Sequence, residues 1–380
     1  MRGRLTIPLM LLAAASLARG GDTNDIQAVL KQGRGTPAGR AAWDRLAAGG
    51  PELLLPLLRA LDTPDTASAN WLRTAFDQIL DRALRAGGKN IDADGLLAFV
   101  KDAKRAGRAR RLALEAVERL RPGTSRELFR GWLEDPEFRY EAVALQLGRA
   151  AALAKERAKQ DAVAAYRKAL AASRDVQQAR AAAVGLLNLG VQASVAEHLG
   201  FLTEWYLIGP FDAAGKKGFT TSYPPEKGVD LKAEYRGQGR TVRWVPYRVR
   251  EPSPKSGGHV ALVSLRDRAA LGDADDAVAY AYTEFTLPEA RAVEFRGSAD
   301  DNFTVWVNGA KVFGFEEYYN GVRLDRHRFR VPLRAGRNTV LVKVCQAPAN
   351  AEPNWEFFLR VVDETGKGIP LRPALPRPVP

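Results

Sequence analysis

Ser298-Ala-Asp-Asp-Asn-Phe-Thr-Val-Trp-Val-Asn308-Gly309, and further on Gly336-Arg-Asn-Thr-Val-Leu-Val-Lys-Val344, decide the fold class of this chain. In the first stretch Phe303, Val305 and Val307 alternate with Thr304 and Trp306, the period-two pattern of a strand with one apolar face. Asn308-Gly309 is the dipeptide favoured in a two-residue hairpin turn, where both central residues need positive φ. In the second, a Gly-Arg-Asn turn leads into another alternating run. Val305, Val307, Val340 and Val342, with Phe357 and Leu359 from Trp355–Val362, are expected to face inward between two sheets. The opposite set, including Lys343 and Arg360, is expected to lie in water and to tolerate change.

Working outward, short runs of this kind recur after Gly200. They are Trp205–Phe211, Val242–Val249, Val260–Leu265, Val278–Leu287, Ala292–Ser298, Phe303–Asn308, His327–Leu333, Thr339–Gln346 and Trp355–Val362. Gly, Pro and Asn turns separate them, and no long helical pattern intervenes. A parallel α/β sheet is therefore disfavoured and an antiparallel β-sandwich expected. The end of the chain, Pro370-Leu-Arg-Pro-Ala-Leu-Pro-Arg-Pro-Val-Pro380, has the composition of an extended tail.

The Asp-Asp loop, the Val-Trp-Val-Asn-Gly strand and the later Gly-x-Asn turn together resemble galactose-binding-like jelly-roll domains, the sandwiches appended to many secreted glycosidases. Trp205-Tyr-Leu-Ile-Gly-Pro-Phe-Asp212, followed by Pro224-Pro225-Glu226, is similar to the opening strand of such domains in large secreted bacterial proteins. Trp355-Glu-Phe-Phe-Leu-Arg-Val-Val-Asp363 is similar to their final strand. The resemblance implies a jelly roll over residues 201–368 and a ligand, where one is bound, held in the end loops.

Before Gly200 the pattern is helical. Leu53, Leu54, Leu57, Leu58 and Leu61 form one stripe, and Trp71, Leu72, Ala75, Phe76, Ile79, Leu80 and Leu84 form the next. Pro51-Glu52 suits a helix start and Gly87-Gly88 a stop. Leu61-Asp-Thr-Pro-Asp65 and Leu133-Glu-Asp-Pro-Glu137 repeat a pattern that resembles the helix ends of HEAT-type repeats. Ala162–Gly190 is equally compatible with a degenerate tetratricopeptide pair. Residues 21–200 are read as a short α-solenoid or helical bundle, residues 201–368 as the sandwich and 369–380 as the tail.

Residues 1–20 carry Arg2 and Arg4 before a short apolar run, Leu9–Ala18, with Ser16-Leu17-Ala18 at a cleavage spacing. That is the pattern of a secretory signal peptide and is too short to span a bilayer comfortably. An uncleaved anchor is the rival reading. No other apolar run is long enough for a transmembrane segment, so a secreted or periplasmic location is expected. The net charge of +13 favours anionic partners, and export argues against nucleic acid. Cys345 is the only cysteine, so no internal disulfide is available. Its place in Val340-Leu-Val-Lys-Val-Cys345 predicts a buried thiol rather than a nucleophile.

Asp300 and Asp301 are candidate ligands for a sugar hydroxyl pair or for Ca²⁺, the one cofactor considered. Two acids supply only part of the six or more oxygens calcium takes. Trp306 points away from the valines and is a candidate stacking platform. The loop Glu316–Arg326 adds Tyr318, Tyr319, Asn320 and Arg323, flat aromatics beside fixed polar groups, and is expected to form the ligand end with the Asp pair. The chain lacks zinc-ligand spacings, a nucleophile elbow and phosphate loops, so no catalytic residue is assigned. The favoured function is an exported, non-catalytic, weak glycan-binding protein whose partner is a glycan or cell-envelope component. A second is an envelope structural or protein-interaction protein acting through its helices; a third is a glycoside hydrolase using Glu316, Glu317 or Asp325.

Overall fold

A computed structural model describes residues 20–32, 35–62, 65–267, 270–318, 321–348, 354–369 and 371–373. Helices come first and antiparallel sheets follow. By packing, the chain divides into two compact units, residues 1–137 and 138–380. The leader expected over residues 1–20, except Gly20, and most of the proline-rich tail lie outside the described residues. No described helix is long and apolar enough to cross a membrane.

The first unit contains the two helical stripes. Asp65 caps the helix Thr66–Arg85 by accepting from the N–H groups of Ala67 and Ser68, and Leu72, Ala75, Phe76, Ile79 and Leu80 are its buried face. That helix stops at Gly87 and Gly88, which have φ of 93° and 68° and return hydrogen bonds to Leu84 and Ala83. Pro51 opens a short 3₁₀ turn that leads into Leu54–Ala60. Arg110 is buried and bridges the Val100 carbonyl and the Asp135 carboxylate.

The second unit begins with the helices Arg139–Lys155, Lys159–Ala172, Val176–Asn188 and Val195–His198. The strands follow: β1 (Glu204–Asp212), β2 (Glu234–Arg236), β3 (Thr241–Arg243), β4 (Val245–Arg248), β5 (Val263–Ser264), β6 (Ala277–Leu287), β7 (Arg291–Ala299), β8 (Phe303–Val307), β9 (Ala310–Phe315), β10 (His327–Leu333), β11 (Gly336–Gln346), β12 (Glu356–Val362) and β13 (Arg372–Pro373). The larger sheet runs β4-β1-β6-β11-β8-β9, with β13 paired to β6; the smaller runs β10-β7-β12-β5; β2 and β3 form a hairpin of their own. Trp205 on β1 meets Phe357 on β12 edge-on at 5.2 Å, which joins the inner faces of the two sheets. Val305, Val307, Val340, Val342, Phe357 and Leu359 all lie in that core.

The two sequence stretches quoted at the outset meet at one end of the larger sheet. Asn308 and Gly309 have φ of 51° and 81°, a turn with both central residues left-handed. The Asn308 amide donates to Asn338 Oδ1 at 2.9 Å and accepts from the Thr339 N–H at 3.0 Å. Asn338 is fully buried and also donates to the carbonyls of Arg334 and Gly336. The Gly-Arg-Asn turn is thus the partner of the hairpin turn.

Parts of both outer faces are covered. Val176, Ala179, Ala183, Val195 and Leu199 pack with Phe201, which meets Phe358 of β12 at 5.7 Å. The larger sheet is overlaid by the segment from Ala213 to Arg243, here called the strap. Phe211, Tyr223, Val242 and Trp244 form a second core there with Ile208, Val278, Tyr280, Tyr282, Leu341 and Cys345. Gly218 of the strap lies so close to the sheet that a methyl group on it would sit 2.7 Å from Val278 of β6.

This double covering corrects one expectation. Lys343 and Arg360 are 2% and 1% exposed, respectively, and not solvated. Arg360 forms a bidentate pair with Asp325, which Arg296 also contacts at 3.3 Å. Burial would raise the Asp325 carboxyl, but its hydrogen bonds with Arg360 and the charges of both arginines hold it below the usual carboxylate range.

Candidate functional site

The Asp pair is interior. Asp300 and Asp301 are each 2% exposed, against the expectation of an open acidic loop. The Asp300 N–H donates to the Glu356 carbonyl, and Asp301 Oδ2 accepts from the Ala347 N–H at 2.7 Å. The Asn302 carbonyl accepts from the Cys345 N–H. The run therefore ties the β7–β8 turn to the ends of β11 and β12, a use that short polar side chains serve well in turns. Among the described residues no group of three or more His, Cys, Asp or Glu is placed to hold a metal ion.

Tyr318 is half-buried. Its hydroxyl donates to the Lys216 carbonyl at 3.3 Å, and the Lys216 ammonium stands 5.1 Å over its ring. Burial, with Cys345, Asp301 and Glu316 nearby, pushes its phenol above the ordinary tyrosine range. Arg323 is exposed, and its N–H donates to Ser298 Oγ. Tyr319 and Asn320 lie outside the described residues. Cys345 is buried, and burial raises its thiol to about 12.

Trp306 stands elsewhere on the same outer face. Alternation along β8 turns its indole away from Val305 and Val307, and it remains half-buried at the margin of the second core. There it forms one wall of an open cleft of about 240 Å³. Leu341 and Tyr282, in register with Trp306 across β11 and β6, line it from the sheet, Pro225 and Val229 line it from the strap, and Glu226, Lys227 and Thr339 add polar groups. Tyr282 is fixed by donating to Glu284 at 2.6 Å.

Behind this cleft lies a group that the alternation pattern had assigned to solvent. Lys343 Nζ donates to the Phe219 carbonyl at 3.3 Å, the Thr221 carbonyl at 2.6 Å and Glu226 Oε1 at 2.8 Å. It also stands 5.2 Å over the Tyr223 ring. Tyr280 donates to the same Glu226 oxygen, and burial followed by that bond drives its phenol far above the ordinary range. Burial likewise raises the Tyr223 phenol to about 12. One signal for this cluster was present in the sequence, a lysine inside the otherwise apolar run Val340–Cys345.

A larger hollow of about 780 Å³ is bordered by Phe201, Glu204, Arg248, Glu251, Glu284 and Leu371. Three of its acids are already partnered. Glu251 accepts from Ser194 and from the N–H groups of Val195 and Ala196. Glu204 faces Arg248, and Glu284 holds Arg337 and Tyr282.

No family profile and no curated protein matches the chain. Solved structures similar to it include a β-glucuronidase from an uncultured Clostridium sp., at 14% identity and TM-score 0.25, covering 43% of this chain and 29% of that one. A GH2 β-galacturonidase from Eisenbergiella tayi bound to galacturonate has 13% identity and TM-score 0.24, covering 42% of this chain and 23% of that one. A family 35 carbohydrate binding module from an environmental isolate has 18% identity and TM-score 0.19, covering 27% of this chain and 77% of the module. The chain thus spans less than a third of either glycosidase.

Proposed function

We propose that this chain is an exported, non-catalytic carbohydrate-binding protein whose jelly-roll sandwich takes a sugar ring against Trp306, with HEAT-type helices as its scaffold. The observation that carries this is the Trp306 cleft: an indole, a tyrosine and a leucine, open to water, with a carboxylate, an ammonium and a hydroxyl in its lining. A pyranose offers the matching surface, an apolar C–H face with hydroxyls around its edge, and aromatic platforms with few fixed polar groups suit it. A site of this size contacts one or two rings, so weak binding is expected. The partnering of Glu226, Glu284 and Asp325 supports a non-catalytic role, because each carboxylate already serves an ion pair, buried for Glu226 and Asp325.

The test is a glycan array followed by affinity electrophoresis of the retained glycans with wild type and Trp306→Ala. Loss of retention with an unchanged melting profile is expected. Absence of any retained glycan for wild type, or equal retention by the variant, refutes the reading and favours a protein-interaction role. Hydrolysis of chromogenic glycosides by the purified chain would overturn the non-catalytic part. Export is tested by sequencing the mature N-terminus, which is expected between Arg19 and Asp22.

A further inference from the structure

We propose that the buried Lys343–Glu226 pair is a latch that clamps the strap onto the larger sheet and thereby sets the width of the Trp306 cleft, making both residues positioning residues for the ligand. The proposal rests on the reading of that cleft as the sugar site.

Lys343 belongs to the sheet; its acceptors Phe219, Thr221 and Glu226 belong to the strap. All three ammonium donors are thus used across the same junction. Tyr280, also on the sheet, adds a second bond to Glu226. A buried ammonium without its counter-charge is costly, so the strap cannot lift here without water entering. Glu226 is at once the acceptor of the latch and a member of the cleft lining, next to Pro225 and three residues before Val229. A shift of the latch therefore moves the strap residues that line the cleft with Trp306. Other strap contacts are apolar, such as Phe211 with Tyr223 at 5.3 Å, or single hydrogen bonds to carbonyls, such as Tyr223 to Asp212 and Gln238 to Asp275, and none of these hydrogen bonds pairs opposite charges as Lys343 and Glu226 do.

The latch is tested on the full chain with Glu226→Gln and Lys343→Met, with Trp306 intact. Hydrogen exchange in residues 213–243 is expected to accelerate by about a hundredfold in both, the scale on which breaking a buried pair acts. Exchange in β12 and in the helix Val176–Asn188, read in the same samples, reports that the fold is retained. Affinity for the glycan retained by wild type is expected to fall about tenfold, and adding Trp306→Ala to Lys343→Met is expected to cost less than Trp306→Ala alone, the non-additivity of coupled sites. Unchanged exchange of the strap overturns the latch. Faster exchange with unaltered affinity, or strictly additive losses, overturns its positioning role. If wild type retains no glycan, the sugar reading falls by itself and the exchange arm still decides the latch.

Discussion

Asp325→Asn removes one negative charge from the outer face of the smaller sheet while keeping nearly the same shape. Asp325 has φ of 53°, a left-handed conformation that asparagine also tolerates, so backbone strain does not enter. Its carboxylate is 11% exposed and faces Arg360, whose side chain is 2% exposed, and Arg296. After the change Arg360 keeps the Leu199 carbonyl at 3.4 Å and the face of Phe201, but no full counter-charge. Breaking one side of a buried pair costs about 3–5 kcal/mol, and the retained amide oxygen argues for the lower end, about 3 kcal/mol. For a unit of this size that is a drop of roughly 6–12 °C in the sandwich transition. Calorimetry with near-ultraviolet circular dichroism follows the tryptophan-rich core.

The pH dependence has a definite sign. The folded carboxyl lies below its unfolded value, so its stabilisation is complete above the unfolded value and fades as pH falls through the folded one. The gap between wild type and variant is expected to be constant at neutral pH and to close only below the ordinary aspartate range, about pH 4. A loss under about 1 kcal/mol, the range of an exposed pair, or a gap that persists into strong acid would refute this reasoning.

Phe357→Ala empties a fully buried site against Trp205 and is expected to cost about 3–5 kcal/mol in urea unfolding; a loss below about 1 kcal/mol would remove Phe357 from the core. Cys345, whose thiol burial raises to about 12, is expected to resist a thiol-reactive disulfide reagent at pH 8 in the folded chain and to react promptly once unfolded; fast labelling of the native protein would show an open path to it.

Much of the strand pattern was legible because alternation reports one dry face. His327–Leu333 has the bounds read from the chain, and the inward valines of β8 and β11 are buried as expected. Alternation is silent about the second face. β12, Glu-Phe-Phe-Leu-Arg-Val-Val, is buried almost throughout, as a strand covered on both sides reads. The single arginine in that run marks a buried pair, not the water side. β2, a short piece of the strap, carried no usable period.

Sequence by itself determined the change from helices to strands, the Asn308-Gly309 turn and the inner core, all set by local conformational preference and near-neighbour alternation. Tertiary structure alone decided what lies over the outer faces. Lys343 and Glu226 are separated by 117 positions, and Arg360 and Asp325 by 35, so no local pattern could pair them. A charged side chain reads as solvated until a distant segment brings the counter-charge that makes its burial tolerable. The same holds for Asp300 and Asp301, which look like an open ligand loop and are interior because the ends of β11 and β12 arrive to use them. Trp306 keeps its outward direction from alternation, but the cleft that makes it a candidate platform exists only because the strap folds back over the sheet.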